Sequence, residues 1–332
     1  MNIKLSTTDD FAEAIDECDF AKVIDELSKN GPANVSLYLI GGPPDNALRK
    51  LVLRPKLLTR LKCLRISNIR MNEQIARLIA QILKISSSLR SLILKDISLT
   101  SSENAIIIDG VRKSISLQTL DLSNYCISID NITEIATIIS GNSSVQNLIL
   151  KESDIGRKES KALACALIKS TSLKSLNLSK NRVDAQGMYA LAAALLINPS
   201  LSYLDISNNF FALSALKSFI AVLTEKVIHI YVDHPAINSI LDFRIEGARF
   251  LALEQAQTDD TDRTNPPPPA VRFFSRDGDH AIGTRVMRFL AEKPSLPFTR
   301  AELDSTLQSL REEAARLIST KDSAPRTAAP GF

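Results

Sequence analysis

The sequence predicts an α/β solenoid: a curved parallel sheet on the concave face, helices on the convex face and a short α-helical extension at the C-terminal end. Three observations predict it. A 28-residue pattern recurs six times without a break, its copies starting at Leu61, Leu89, Leu117, Val145, Leu173 and Leu201. Positions 4 and 6 of each copy are apolar: Leu64/Ile66, Leu92/Leu94, Leu120/Leu122, Leu148/Leu150, Leu176/Leu178 and Leu204/Ile206. That alternation marks a half-buried strand. The later part of each copy shifts to helical spacing; in the fifth, Val183, Leu191, Ala194 and Leu195 form an inner stripe behind Asp184, a residue suited to cap the helix. One strand-helix unit cannot bury its apolar face alone, so copies stack and both ends need caps.

Residues 1–60 read as an N-terminal helical cap followed by a degenerate leading repeat. Phe11, Ile15, Cys18, Val23, Ile24 and Leu27 fall at near-helical spacing over residues 8–29, and Val35, Leu37 and Leu39 alternate as a leading strand. The six copies fill 61–228. Val227 to Val232 (VIHIYV) reads as a closing strand and Ile237 to Ala256 as a capping helix, a C-terminal cap over 229–257. The stretch 258–270 is almost free of apolar residues and ends in Pro266 to Pro269, the composition of a semi-rigid linker. Arg272 sits one position off the spacing of an SH3 ligand, so the linker reading is preferred.

Beyond the linker the basic residues change type. Residues 271–332 hold eight arginines and two lysines, against twelve and seventeen in residues 1–257. A separate helical module is expected over 271–320, then a disordered tail over 321–332. Thr299 and Glu302 form a capping box, and Leu303, Leu307, Leu310, Ala314 and Leu317 follow as one apolar stripe. A shorter helix, His280 to Glu292, offers Ile282, Val286 and Leu290 to it. Two helices make a marginal core, so the stripe should dock on the repeats or on a partner.

The repeat resembles the leucine-rich repeat, and its length resembles the ribonuclease-inhibitor-like subclass, in which a helix returns the chain to the next strand. Leu173 to Val183 (LKSLNLSKNRV) and Leu201 to Phe211 (LSYLDISNNFF) carry the family's asparagine at position 9, as Asn181 and Asn209. The other copies hold Ile69, Ile97, Tyr125 and Ser153 there, which predicts an incomplete asparagine ladder.

Composition excludes several function classes. Charged residues at 23% and hydrophobic residues at 45% are ordinary for a globular chain. A net charge of +3 is too small to argue for nucleic acid or a membrane surface. Met1 to Asp10 lacks the apolar core of a signal peptide, and the run Ala190 to Ile197 is too short to span a bilayer. Cys18, Cys63, Cys126 and Cys165 have neither disulfide nor metal-ligand spacing, so reduced cytosolic thiols are expected, Cys63 being the most exposed. No metal, cofactor or catalytic residue is expected. His229, His234 and His280 lie outside any zinc or triad signature, and no cysteine follows Cys165 to serve a C-terminal cysteine ligase.

Binding remains, and the repeat says where. Strand positions 3, 5, 7 and 8 alternate out of the core and stack as columns on the concave face. Position 5 reads Arg65, Ile93, Asp121, Ile149, Asn177 and Asp205; position 7 contributes Lys95 and Lys151, with Tyr125 and Tyr203 nearby. These ten residues are the expected protein-binding set, with Ile93 and Ile149 as apolar residues on a face that should meet water. The expected function is non-enzymatic protein binding by a monomer, with no nucleic acid and no membrane insertion.

The resemblance extends to leucine-rich repeat effectors of intracellular bacterial pathogens, implying a virulence protein secreted without a classical signal peptide into host cytosol. Glu312 and Glu313, ahead of a C-terminus ending Ala328-Ala329-Pro330-Gly331-Phe332, resemble the acidic block of some type IV-secreted effectors. A cytosolic regulator similar to ribonuclease inhibitor, NOD-like receptor repeats or Ran GTPase-activating proteins is the alternative, although their cysteine alternation, nucleotide-binding motif and acidic tail are missing. The substrate-recognition arm of a ligase-type enzyme ranks third.

Overall fold

The computed structural model describes residues 2–6, 14–15, 34–41, 44–125, 127–141, 144–210, 213–225, 228–232 and 300–319. Each copy of the repeat folds as a strand and a helix. The strands are β4 (Leu61–Ser67), β5 (Ser91–Lys95), β6 (Thr119–Asp121), β7 (Asn147–Ile149), β8 (Ser175–Asn177) and β9 (Tyr203–Asp205). The helices that follow them are α3 (Glu73–Ile85), α4 (Ser101–Lys113), α5 (Ile129–Ser140), α6 (Arg157–Lys169), α7 (Ala185–Ile197) and α8 (Leu213–Glu225). Before them come β1 (Asn2–Ser6), β2 (Ala14–Ile15), β3 (Val35–Ile40) and the short helices α1 (Asp45–Val52) and α2 (Pro55–Leu58). After them come β10 (His229–Tyr231) and α9 (Arg300–Ser319).

One ten-stranded sheet runs β10-β9-β8-β7-β6-β5-β4-β3-β1-β2, with β3 to β10 parallel. The register keeps the repeat in step, pairing Leu64 with Leu92, Leu120 with Leu148 and Leu176 with Leu204. All six are fully buried between sheet and helices, so the leucines at positions 1, 4 and 6 form one continuous core.

Position 12 caps the helices. Asn72, Thr100, Ser128 and Asp184 accept the N–H three residues on, from Ile75 at 2.8 Å, Glu103 at 3.3 Å, Asn131 at 3.3 Å and Gly187 at 2.9 Å. Each satisfies an amide that the first turn leaves free. Gly156 has no side chain to offer, and its own N–H donates to the Glu159 carboxylate at 3.1 Å.

Two ladders tie neighbouring repeats. At position 9, Asn181 Nδ2 donates to Leu150 O and Leu178 O, while its Oδ1 accepts the N–H groups of Ser153 and Ile155. Asn209 repeats the pattern, and Ser153 Oγ donates to Leu122 O. Ile69 and Ile97 replace these bonds by burial. The second ladder is of serines at position 28: Ser88 and Ser116 each donate to two carbonyls of the preceding turn, and Ser144 and Ser200 to one.

Of the helical cap expected over residues 8–29, only Ala14–Ile15 lies among the described residues, and it is extended rather than helical. Ala14–Ile15 is a strand, and β1 pairs antiparallel with both β2 and β3, so strands extend the sheet edge there. At these two residues pairing to an open sheet edge takes the place of helix. The expected helices over 237–256 and 280–292, the linker over 258–270 and the tail over 321–332 lie outside the described residues.

The apolar stripe near the C-terminus docks on the repeats themselves. Helix α9 packs on α7 and α8 and touches α6. Leu303, Leu307, Leu310, Ala314 and Leu317 are buried, Leu310 completely. Each leucine so covered is worth about 1.5–3 kcal/mol. Lys217 Nζ lies 3.6 Å from Glu302 Oε1, and the Tyr189 phenol hydrogen-bonds with Ser309. Burial raises the Tyr189 pKa, and the carboxylates of Glu313 and Glu312 on α9 push it the same way.

Candidate binding face

The concave surface is the open side of the sheet, presenting positions 3, 5 and 7. Position 8 leaves it: Asn68, Asp96, Asn124, Glu152, Lys180 and Asn208 all adopt left-handed backbone, φ between 52° and 57°. This turns the chain onto the rim in every repeat. Asparagine and aspartate tolerate that conformation, whereas Glu152 and Lys180 hold it at a cost. Their side chains join in an ion pair of 2.8 Å. That hydrogen bond from Lys180 is the main reason the exposed Glu152 carboxyl sits below its ordinary pKa.

The position 5 column runs Tyr38, Arg65, Ile93, Asp121, Ile149, Asn177, Asp205 and Tyr231 in hydrogen-bonded register. Its members behave in two ways. Asp121 Oδ1 accepts the N–H of Ser123 at 2.9 Å and also its hydroxyl. Asn177 Oδ1 takes Ser179 N–H at 2.8 Å and Oγ at 2.7 Å, and Asp205 Oδ1 takes Ser207 N–H at 3.0 Å and Oγ at 2.7 Å. Asn177 Nδ2 also donates to Asp205 Oδ2 at 3.0 Å. In these three repeats the polar residue at position 5 is folded onto the serine two residues later and is part of the strand's own wiring.

The second and fourth repeats lack that closure. Ile93 and Ile149 stand half-buried at position 5, and Lys95 and Lys151 stand half-buried at position 7, with no ion pair to either lysine among the described residues. Arg65 is half-buried too, and its Nε finds no hydrogen-bond partner among the described residues. Beside it the Cys63 thiol is half-buried, its pKa raised by burial against the lowering pull of Ser91 and Arg65. A raised pKa makes a thiol a poor nucleophile.

Tyr125 does not belong to this face. It is 2% exposed, inside the core at position 9, where its hydroxyl donates to Leu99 O at 3.4 Å and accepts from Asn131 Nδ2. The tyrosine occupies the asparagine-ladder site of its repeat, and the expectation that it lines the concave surface is corrected. Tyr203 does lie on the face, its ring stacked on His229 with centroids 5.4 Å apart and planes at 8°. Tyr231, 49% exposed, extends this aromatic corner. Burial raises the Tyr203 pKa, with Asp205 and Tyr231 adding to the effect. The repeat count missed His229 and Tyr231 because His229 pairs with Tyr203 only 26 residues on (229 − 203), two short of the period.

Elsewhere, Lys161, Ala185, Gln186, Tyr189 and Glu313 line a groove of ≈ 400 Å³ where α9 meets α6 and α7. Among the described residues, no group of three or more His, Cys, Asp or Glu is placed to hold a metal ion, and no helix is long and apolar enough to cross a membrane.

A leucine-rich repeat family model matches residues 169–192, spanning the end of α6, β8 and the first half of α7. With the sheet and helices described above, this match supports an α/β leucine-rich repeat solenoid as the fold. No curated protein matches it. Among solved structures, actin-binding site 2 of leiomodin-1 is 17% identical, with 49% of this chain and 99% of that chain covered and a TM-score of 0.42. The C-terminal domain of tropomodulin from Caenorhabditis elegans is 16% identical, with 44% and 96% covered and a TM-score of 0.40. At these identities and scores neither bears on what this chain binds.

Proposed function

We propose that this chain is a non-enzymatic protein-binding module that holds a protein partner against the concave face of its repeats. The observation that supports the reading is the pair Ile93 and Ile149: apolar side chains held half-exposed at the middle of a sheet whose other central positions are polar and internally bonded. Apolar side chains on an open concave sheet gain by being covered, and repeat solenoids present such sheets as binding surfaces. Arg65, Lys95, Lys151 and Tyr203 surround the pair; Asp121, Asn177 and Asp205 serve the face by holding its shape.

The finer reading is a ribonuclease-inhibitor-like repeat used as an effector that a bacterium delivers into host cytosol. It rests on the 28-residue strand-helix period and the resemblance to effectors of that kind. A translocation-reporter fusion tests delivery separately from binding. Binding is tested by capture from eukaryotic lysate with cross-linking mass spectrometry, comparing the full chain with an Ile93→Asp/Ile149→Asp variant. Partner cross-links on the concave strands, lost in the variant, support the reading. Cross-links confined to the convex helices, or unchanged capture by the variant, overturn it.

A further inference from the structure

The exposed chemistry of the concave face recurs once at a spacing of two repeats, in the second and the fourth. Ser91 to Asp96 (SLILKD) and Asn147 to Glu152 (NLILKE) are near copies 56 residues apart, whereas the strand between them reads TLDLSN. The structure gives the difference a meaning. In the TLDLSN strand, Asp121 closes onto Ser123, and the pairs Asn177/Ser179 and Asp205/Ser207 do the same further along. In the SLILKD and NLILKE strands, isoleucine and lysine take those two positions and project. The centre of the face therefore carries two identical units, each an apolar side chain with an ammonium on the same flank.

Their spacing selects a shape. Ile93 and Ile149 each pair with Asp121, from opposite sides, so they lie two strands apart. At about 4.8 Å per strand this is about 10 Å. An α-helix laid across the strands rises about 10.5 Å in seven residues and returns to the same face after those two turns. An extended peptide in the same direction covers about 10 Å in three residues, which places the two side chains on opposite faces. The middle turn of the helix falls over Asp121, where a small or polar residue fits.

The charges select a composition. Two acidic side chains of the rim have partners of their own: Glu152 is paired with Lys180 at 2.8 Å and shares its charge more weakly with Lys151 and Lys95, and Asp96 accepts from Asn124. Lys95 and Lys151 are left on one flank of the isoleucine row. We infer that the concave face receives an amphipathic α-helix lying across β5, β6 and β7, with apolar residues at i and i+7 over Ile93 and Ile149 and carboxylates over Lys95 and Lys151. This rests on the concave face being the binding face, and it names the partner by chemistry: an acidic amphipathic helix.

The probes are fluorescent stapled helical peptides, tested on the full chain by anisotropy. One carries leucine at i and i+7 with glutamates on one flank. The others carry leucine at i and i+5, lysines in place of the glutamates, or prolines that prevent a helix. The silenced protein is Ile93→Asn/Lys95→Ser/Ile149→Asn/Lys151→Ser, which installs the Asn-Ser closure already seen at Asn177 and Ser179 and so preserves the strand. A second variant, Lys95→Glu/Lys151→Glu, reverses the flank charge. Preference for the i, i+7 glutamate helix by about tenfold, its loss in the silenced protein and a switch to the lysine helix in the reversed one support the inference. Equal binding of both spacings, preference for the proline peptide, no binding of any peptide, or binding that survives silencing overturns it. A natural partner cross-linked to the concave strands would leave the broader binding reading standing even then.

Discussion

Asn181 Oδ1 accepts the backbone N–H of Ser153, one full repeat behind it, at 2.9 Å. The same side chain accepts Ile155 N–H and donates to Leu150 O and Leu178 O. Replacing it by alanine strands buried backbone groups of two repeats at about 1–3 kcal/mol each. Asn181→Ala should therefore lower unfolding free energy by about 3 kcal/mol in urea titration, and Asn209→Ala, at a half-buried site, by less. A loss within about 0.5 kcal/mol, as for an ordinary surface change, would show that water replaces the ladder.

Leu310 is fully buried where α9 meets the repeat helices. A Leu310→Asp substitution puts a carboxylate there without a partner of its own, costing more than the roughly 2–5 kcal/mol of a truncation to alanine. Release of α9 is expected, with the solenoid intact because its core lies between sheet and inner helices. Arg311 and Arg316 are exposed on α9 but sit in helical backbone that a protease must open. Trypsin should cut the variant at these arginines well before wild type. The Tyr189 phenol should titrate closer to its ordinary value in the variant, since burial and the α9 carboxylates raise it when docked. Identical cleavage and titration would mean that α9 contributes nothing to the fold in solution.

Gly110 of α4 approaches α3 closely: a Cβ built on it meets Ala80 Cα at 2.8 Å and Leu83 Cδ1 at 3.2 Å. Ala80 Cα is backbone and cannot rotate aside. Gly110→Ala gains about 1 kcal/mol in helix propensity and incurs about 1–3 kcal/mol of overpacking. The net expectation is destabilisation, seen as a lower melting temperature. A higher one would show that the α3–α4 spacing relaxes freely.

The solenoid was legible because each repeat restates the same leucines, and position 4 of every copy lands in the core. The α9 stripe was legible from its own helical spacing, but which surface it meets depends on the outer faces of α7 and α8, whose spacing says nothing of a partner. The binding face was legible only by half. Alternation places Asp121, Asn177 and Asp205 beside Ile93 and Ile149, yet a hydrogen bond to the serine two residues on separates the two groups, and no pattern of hydrophobicity records it. Tyr125 misled because a position that faces the core in every repeat can be filled by a large side chain when its hydroxyl finds Leu99 O and Asn131. At the C-terminal end, the shortened spacing to His229 broke the count that would have extended the face to Tyr231.

Asp184 caps α7 through Gly187 N–H at 2.9 Å and pairs with Arg157 of the preceding helix at 2.5 Å. Burial pushes its pKa up, but the Gly187 N–H bond and Arg157 together outweigh it, and the net shift is downward. A carboxylate whose pKa is depressed by folding contributes stability that is present above its unfolded value, about 3.9, and lost as pH falls through the lower folded value. Asp184→Asn keeps a good cap and removes the ionisation, and Asp184→Ala removes both at about 1 kcal/mol for the cap. The difference in stability between wild type and Asp184→Asn should be constant near neutral pH and shrink as pH drops below about 4. Part of it is the partly exposed ion pair to Arg157, so added salt should reduce that part at pH 7 and leave the cap intact. Urea titrations at neutral and acidic pH measure both effects, and a difference that grows on acidification would show that the carboxylate is destabilising in the folded state.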